Sequence, residues 1–174
     1  LAEAYVSDIL PSLDALQHLS AHAEDFLRDD AVDAAQLLLA HKQARLVYEP
    51  IGVILAIKPW NYPWGQSVPV VGSALAAGNT VVLKPAPATT IAGLRIGALA
   101  RRAGFPDGVV NVVATDDTVA ASLVEDPGVG KIVFTGSIAT GKRVMAAAAK
   151  NLTPVLLELG GKDPAIVCRD ADLD

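Results

Sequence analysis

Four short stretches of this chain hold residues that could do chemistry. Leu156-Leu157-Glu158-Leu159-Gly160-Gly161-Lys162 places one carboxyl at the end of an apolar run. Apolar burial disfavours the charged form of a carboxyl and raises its pKa toward the working range of a general base. Glu158 is therefore a candidate base, although a strand-end Glu paired with Lys162 would read the same way. In Lys58-Pro59-Trp60-Asn61-Tyr62-Pro63-Trp64, two prolines stiffen the backbone on both sides of Asn61. A fixed Asn side-chain N–H₂ is a reasonable donor to an oxyanion. The plainer alternative is a rigid turn in which Asn61 bonds its own backbone.

The other two stretches suit a phosphate-bearing ligand. Phe134-Thr135-Gly136-Ser137-Ile138-Ala139-Thr140-Gly141 reads as a strand that runs into a helix. The free N–H groups of a helix start favour a phosphate, Ser137 adds a hydroxyl, and Gly136 lets backbone approach closely. Gly141 permits a tight contact between helix and sheet. The glycine spacing matches neither the Gly-x-Gly-x-x-Gly fingerprint nor a Walker loop, since Arg143 follows Lys142. An ordinary helix start capped by Ser137 is the alternative. In Lys84-Pro85-Ala86-Pro87, the Lys stands at a strand end, where open α/β sheets bind ligands, unless it is simply solvated.

Two further candidates are weaker. Cys168, the one cysteine, lies in the apolar run Ala165-Ile166-Val167-Cys168 and reads as a buried structural thiol, though Arg169 could lower a thiol pKa. His18 and His22 share a helix face at a spacing of four, but without further ligands they read as a surface pair and no metal site is expected.

Elements must hold these groups in place. Gly52–Ile57, Thr80–Leu83, Gly108–Val113, Lys131–Phe134 and Val155–Leu157 read as buried strands, with Pro164–Cys168 as one more. Ala-rich segments of helical length alternate with them: Gln66–Ala77, Thr89–Ala103, Thr118–Val124 and Ile138–Ala149. Apolar strands alternating with helices predict a doubly wound open parallel α/β sheet. Gly78, Gly104 and Pro106-Asp107-Gly108 are placed as helix ends and turns. Residues 1–45 read as a separate helical segment, with Ile9, Leu10, Leu13, Leu16, Leu19, Ala23, Phe26 and Leu27 on one stripe. Breaks are expected at Pro11 and at Asp29-Asp30.

The 52% hydrophobic content over 174 residues is ample for a packed core and excludes disorder. A net charge of -5 without a basic run gives no footprint for nucleic acid. Apolar runs are interrupted before they could span a bilayer, and no signal peptide is recognisable at the start. The single cysteine excludes an internal disulfide and fits a reducing, cytoplasmic setting.

Taken together and in this order, the four motifs resemble the aldehyde dehydrogenase superfamily from about Tyr48 to Asp174. The resemblance implies a Rossmann-like coenzyme domain over residues 46–174, with the catalytic domain absent. It implies that Asn61 stabilises the oxyanion and that Glu158 activates the water that hydrolyses a thioester. Contacts to NAD or NADP are implied for Ile57, Pro59, Trp60, Lys84, Pro87, Phe134, Gly136, Ser137, Thr140, Gly141 and Leu159. Many relatives carry Glu where this chain has Pro87. Proline accepts no bonds from the ribose hydroxyls and does not repel a 2′-phosphate, which leaves NADP open.

The resemblance places the nucleophilic cysteine a few dozen residues beyond Glu158, so the 174 residues alone are expected to be inactive. The full enzyme is expected to oxidise an aldehyde to a carboxylic acid through a thiohemiacetal and a thioester, as a homo-oligomer. A CoA-acylating relative, or a non-catalytic nucleotide-binding or subunit-pairing protein, are the alternatives.

Overall fold

The computed structural model describes residues 1–33 and 41–172. Its centre is β3 (Val53–Ile57), whose run of aliphatic residues lies between two layers of helices, with Leu55 and Ala56 fully buried. A strand covered on both faces has no polar side to present, which is why the sequence does not alternate there. β4 (Thr80–Lys84) pairs with one side of β3 and β6 (Val129–Gly136) with the other, while β5 (Val110–Val112) and β7 (Val155–Leu159) form the edges. All four ladders are parallel.

The order β5-β4-β3-β6-β7 is that of a doubly wound sheet. The chain moves outward from β3 to β5, then returns across β3 to lay down β6. That reversal opens a crevice at the carboxyl ends of β3 and β6, the place where such sheets take ligands. The helices α3 (Val68–Ala76) and α4 (Thr90–Arg102) cover one face, packing Val68, Val71 and Ile96 on Ile54, Val81 and Leu83. α5 (Asp117–Val124) and α6 (Ile138–Ala148) cover the other, packing Val124, Val144 and Ala148 on Leu55, Ile132 and Phe134.

Helix ends follow the expected punctuation. Gly78, at φ +77°, closes α3, and the Asn79 N–H donates to the Ala74 carbonyl at 2.9 Å. Asn79 also accepts from the N–H groups of Ile51 and Gly52 at 2.7 and 2.9 Å, which fixes the entry into β3. Gly104 and Gly108 likewise have positive φ at the expected turns. Asp116 caps α5 by accepting from Thr118 and Val119.

Four expectations are corrected. The amino-terminal helix does not break at Pro11. A short helix α1 (Ala2–Ala4) leads into a π-helical turn, Tyr5–Ile9, and then α2 (Leu10–Phe26). Proline's missing donor falls in the first turn of α2, just after the hydrogen-bond register changes, so little is lost. α2 ends near the expected Asp29-Asp30 break. A small antiparallel ladder follows, in which β1 (Asp30–Val32) pairs with β2 (Ala44–Leu46). The helical expectation for positions 34–40 lies outside the described residues.

Pro164–Cys168 is not a strand. No neighbouring strand among the described residues offers it a ladder, and Ile166 and Val167 are exposed. Cys168 is accordingly exposed rather than buried.

Candidate functional site

The site is built where β3, β4, β6 and β7 end. β3 delivers Ile57 and then Lys58 and Pro59, and the chain turns through Trp60, Asn61 and Tyr62 before α3 begins. Tyr62 has φ +52°, a left-handed conformation unusual for an aromatic residue. The loop is therefore held in shape by its surroundings, and such strain clusters at functional positions. Gln66 Nε2 donates to the Asn61 carbonyl at 3.3 Å.

In the next strands, Lys84 ends β4 beside Ile57, Thr135 and Gly136 end β6, and Glu158 lies in register with Thr135 on β7.

Two clefts meet along this line. One, of about 720 Å³, is lined by Trp60, Asn61, Thr135, Gly136, Glu158 and Leu159. The other, of about 400 Å³, is lined by Ile57, Lys84, Pro87, Phe134, Ser137, Thr140 and Arg143, among others. Lys58, Pro59, Trp60, Thr135 and Gly136 belong to both and form the wall between them. Every position chosen from sequence thus reaches one cleft or the other, except Gly141. Gly141 is buried against β7, where a Cβ would stand 2.6 Å from Leu159 Cδ2. Its part is to let α6 approach the sheet.

Ser137 is the N-cap of α6. Its Oγ accepts from the Thr140 N–H at 3.2 Å and donates to Thr140 Oγ1 at 3.0 Å. Arg143 Nη2 donates to the same Thr140 Oγ1 at 3.1 Å. The hydroxyl expected to serve a phosphate is therefore already engaged in the helix start. What this helix start offers an anion is its first-turn N–H groups without intrahelical partners and the nearby cations.

Glu158 is exposed, contrary to the apolar burial expected for it. β7 is an edge strand, and the apolar residues flanking Glu158 leave Leu156 and Leu159 partly open as well.

The residue that sequence reasoning passed over is Lys58. It is only 4% exposed, and its Nζ donates to Thr135 Oγ1 at 3.0 Å. Burial pushes its pKa down to about 8, while the charge of Glu158 works in the opposite direction. Lysines are rarely so buried. The available signal was a lysine directly after an all-apolar central strand. Lys84, at the end of the next strand, is equally buried. The second cleft thus carries Lys58, Lys84 and Arg143, and no carboxylate lines it among the described residues.

His18 and His22 stack at 4.4 Å on α2, and no group of three ligand-type side chains among the described residues could hold a metal ion. No described helix is long and apolar enough to cross a membrane.

The model of the aldehyde dehydrogenase family matches residues 1–174. The chain belongs to the aldehyde dehydrogenase family. It is 53% identical to human retinaldehyde dehydrogenase 3 over 129 residues, which cover 73% of this chain and 25% of that protein. It is 41% identical to rat aldehyde dehydrogenase 1A1 over 175 residues, covering 99% of this chain and 34% of that protein.

Solved structures agree. An NAD+ complex of aldehyde dehydrogenase from Bacillus cereus superposes with a TM-score of 0.87 at 35% identity, covering 99% of this chain and 34% of that one. Succinic semialdehyde dehydrogenase from Streptococcus pyogenes, solved with NADP+, gives 0.83 at 29% identity, covering 92% and 34%. The chain therefore spans about a third or less of the length of these family members.

Proposed function

We propose that the protein carrying this chain oxidises an aldehyde to a carboxylic acid with NAD or NADP. The observation that carries this reading is the convergence of Asn61, Glu158 and a carboxylate-free cationic cleft at the reversal point of the sheet. A dinucleotide's pyrophosphate is a double anion, and the donor set suits it: the start of α6 at Ser137, with Lys84, Lys58 and Arg143 around it. Ile57, Pro59, Pro87, Phe134 and Thr140 would form the remaining walls, and Trp60 and Leu159 would face the nicotinamide end. The nicotinamide, when bound, supplies the acceptor for the hydride that leaves the aldehyde carbon.

Asn61 and Glu158 are the chain's contributions to the remaining steps, and the attacking thiol comes from outside these 174 residues. Attack of a thiolate on the aldehyde carbon puts negative charge on the carbonyl oxygen, and Asn61 Nδ2 donates to it. Once the hydride has left, the acyl group is joined to sulfur as a thioester. Glu158 takes a proton from the water that attacks this thioester, and the acid is released as the thiol re-forms. The exposure of Glu158 leaves it open to water. Cys168 lines neither cleft, which places it apart from Asn61 and Glu158.

Two measurements on the 174-residue chain test this. Calorimetry is expected to show NAD or NADP binding that Ser137→Trp abolishes, because the indole would fill the helix start. An aldehyde-dependent assay is expected to show no NAD(P)H from the chain alone. A folded chain that binds neither nucleotide, or one that turns over aldehyde unaided, would overturn the assignment of roles. In the full-length protein, acid formation should proceed without added CoA.

A further inference from the structure

Residues 1–45 carry none of the motifs discussed above, yet one of their side chains reaches the loop that presents Asn61. Asp8 lies in the π-helical turn Tyr5–Ile9 and is only 7% exposed. Its Oδ1 accepts from the backbone N–H of Trp64 at 2.9 Å and from that of Gly65. The backbone of Asp8 is held in turn, because Ser12 Oγ, 2% exposed, donates to its carbonyl at 2.6 Å. The approach is close on both sides. A Cβ on Gly65 would stand 3.2 Å from Asp8 Oδ1 and 3.6 Å from the Ser7 carbonyl.

This carboxyl does for the loop what the loop does not do for itself. Ser67, at the start of α3, makes no side-chain capping bond. The N–H groups of Trp64 and Gly65, just upstream, find their acceptor on another helix. The π turn adds a residue to the helical register and so redirects the side chains on it, a device often found at functional sites. The loop it holds includes Tyr62 in its unfavourable conformation, which persists only when neighbours constrain it.

We propose that Asp8 is a positioning residue for the oxyanion donor: it fixes the Trp64–Gly65 backbone, and through it the place of Asn61 in the cleft. The proposal rests on the aldehyde-oxidising reading. It gives the amino-terminal helix a part in catalysis that touches neither nucleotide nor aldehyde.

The test compares the full-length protein with Asp8→Asn and Asp8→Ala. Hydrogen exchange at the amides of Trp64 and Gly65 is expected to quicken by about tenfold or more in Asp8→Ala, with the amides of β3 and β6 unchanged. A donor displaced by about an ångström lowers kcat by about 10- to 100-fold, while KM for the nucleotide stays within about twofold. Asp8→Asn keeps an acceptor oxygen and should recover part of both effects. It also carries the test if Asp8→Ala does not fold.

Unchanged exchange at the two amides would overturn the proposal. So would a fall in kcat matched by equal losses in nucleotide KM and melting temperature, because Asp8 would then only stabilise the fold. If the wild-type protein oxidises no aldehyde, the aldehyde reading fails and the catalytic part of this proposal fails with it. Quickened exchange would then still assign the loop anchor to Asp8.

Discussion

Lys58 sits in an environment foreign to its type. A lysine in the unfolded chain holds its proton up to about 10.5, whereas buried Lys58 releases it near 8. Between these values the unfolded state binds more protons, so stability rises with pH across that window. The gain is on the order of 3 kcal/mol at most. Urea titrations from pH 7.5 to 10.5 should show this rise in the wild type and lose it in Lys58→Met. Pro87 permits a second prediction. Pro87→Glu puts a carboxylate at the rim of a cleft that otherwise holds three cations. NADP affinity should fall by about 10-fold or more relative to NAD, read by calorimetry with both nucleotides, because the 2′-phosphate would face a like charge. The cleft residues were reached through the family resemblance of the four motifs, since each motif read alone fits an ordinary turn or helix start as well. The burial of Lys58 and the exposure of Glu158 were not legible in the sequence, because both depend on which strand is central and which lies at the edge.

At the scale of elements, the strands and helices of the sheet were readable to within about two residues at each end, with β6 longer and β5 shorter than expected. β3 and β4 are apolar runs bounded by Gly, Pro and Asn, α4 ends at the expected Gly104, and α6 begins at the expected Ser137 cap. Two features were hidden for identifiable reasons. The helix continues through Pro11 because a π turn changes its register there, and that change leaves no mark in residue type. Pro164–Cys168 has the composition of a strand but no partner to ladder with. Close contacts between elements give a sharper test. A Cβ on Gly93 in α4 would stand 2.6 Å from Pro85 Cγ, part of a rigid ring in the Lys84 loop. Gly93→Ala gains about 1 kcal/mol of helix propensity. It is nevertheless expected to destabilise the fold by about 1–2 kcal/mol net, since the crowded ring must move. Thermal melts read this loss. Because Lys84 shifts with the loop, nucleotide binding should weaken too.

For the molecule as a whole, the order of the strands decides the order in which it can be assembled. β3 meets β4 about 27 residues on but meets β6 only about 77 residues on, a longer loop whose closure costs about 0.9 kcal/mol more. The half made of β3, α3, β4, α4 and β5 can therefore form while one side of β3 still waits for β6. During that interval the central strand is an open edge with wholly apolar side chains, a surface prone to association. Stopped-flow refolding should show Val81→Ala slowing folding, whereas Ile132→Ala mainly speeds unfolding. Yield on refolding should fall steeply with protein concentration. The reversal that creates the binding crevice thus also sets the moment of greatest hazard in the life of a newly made chain.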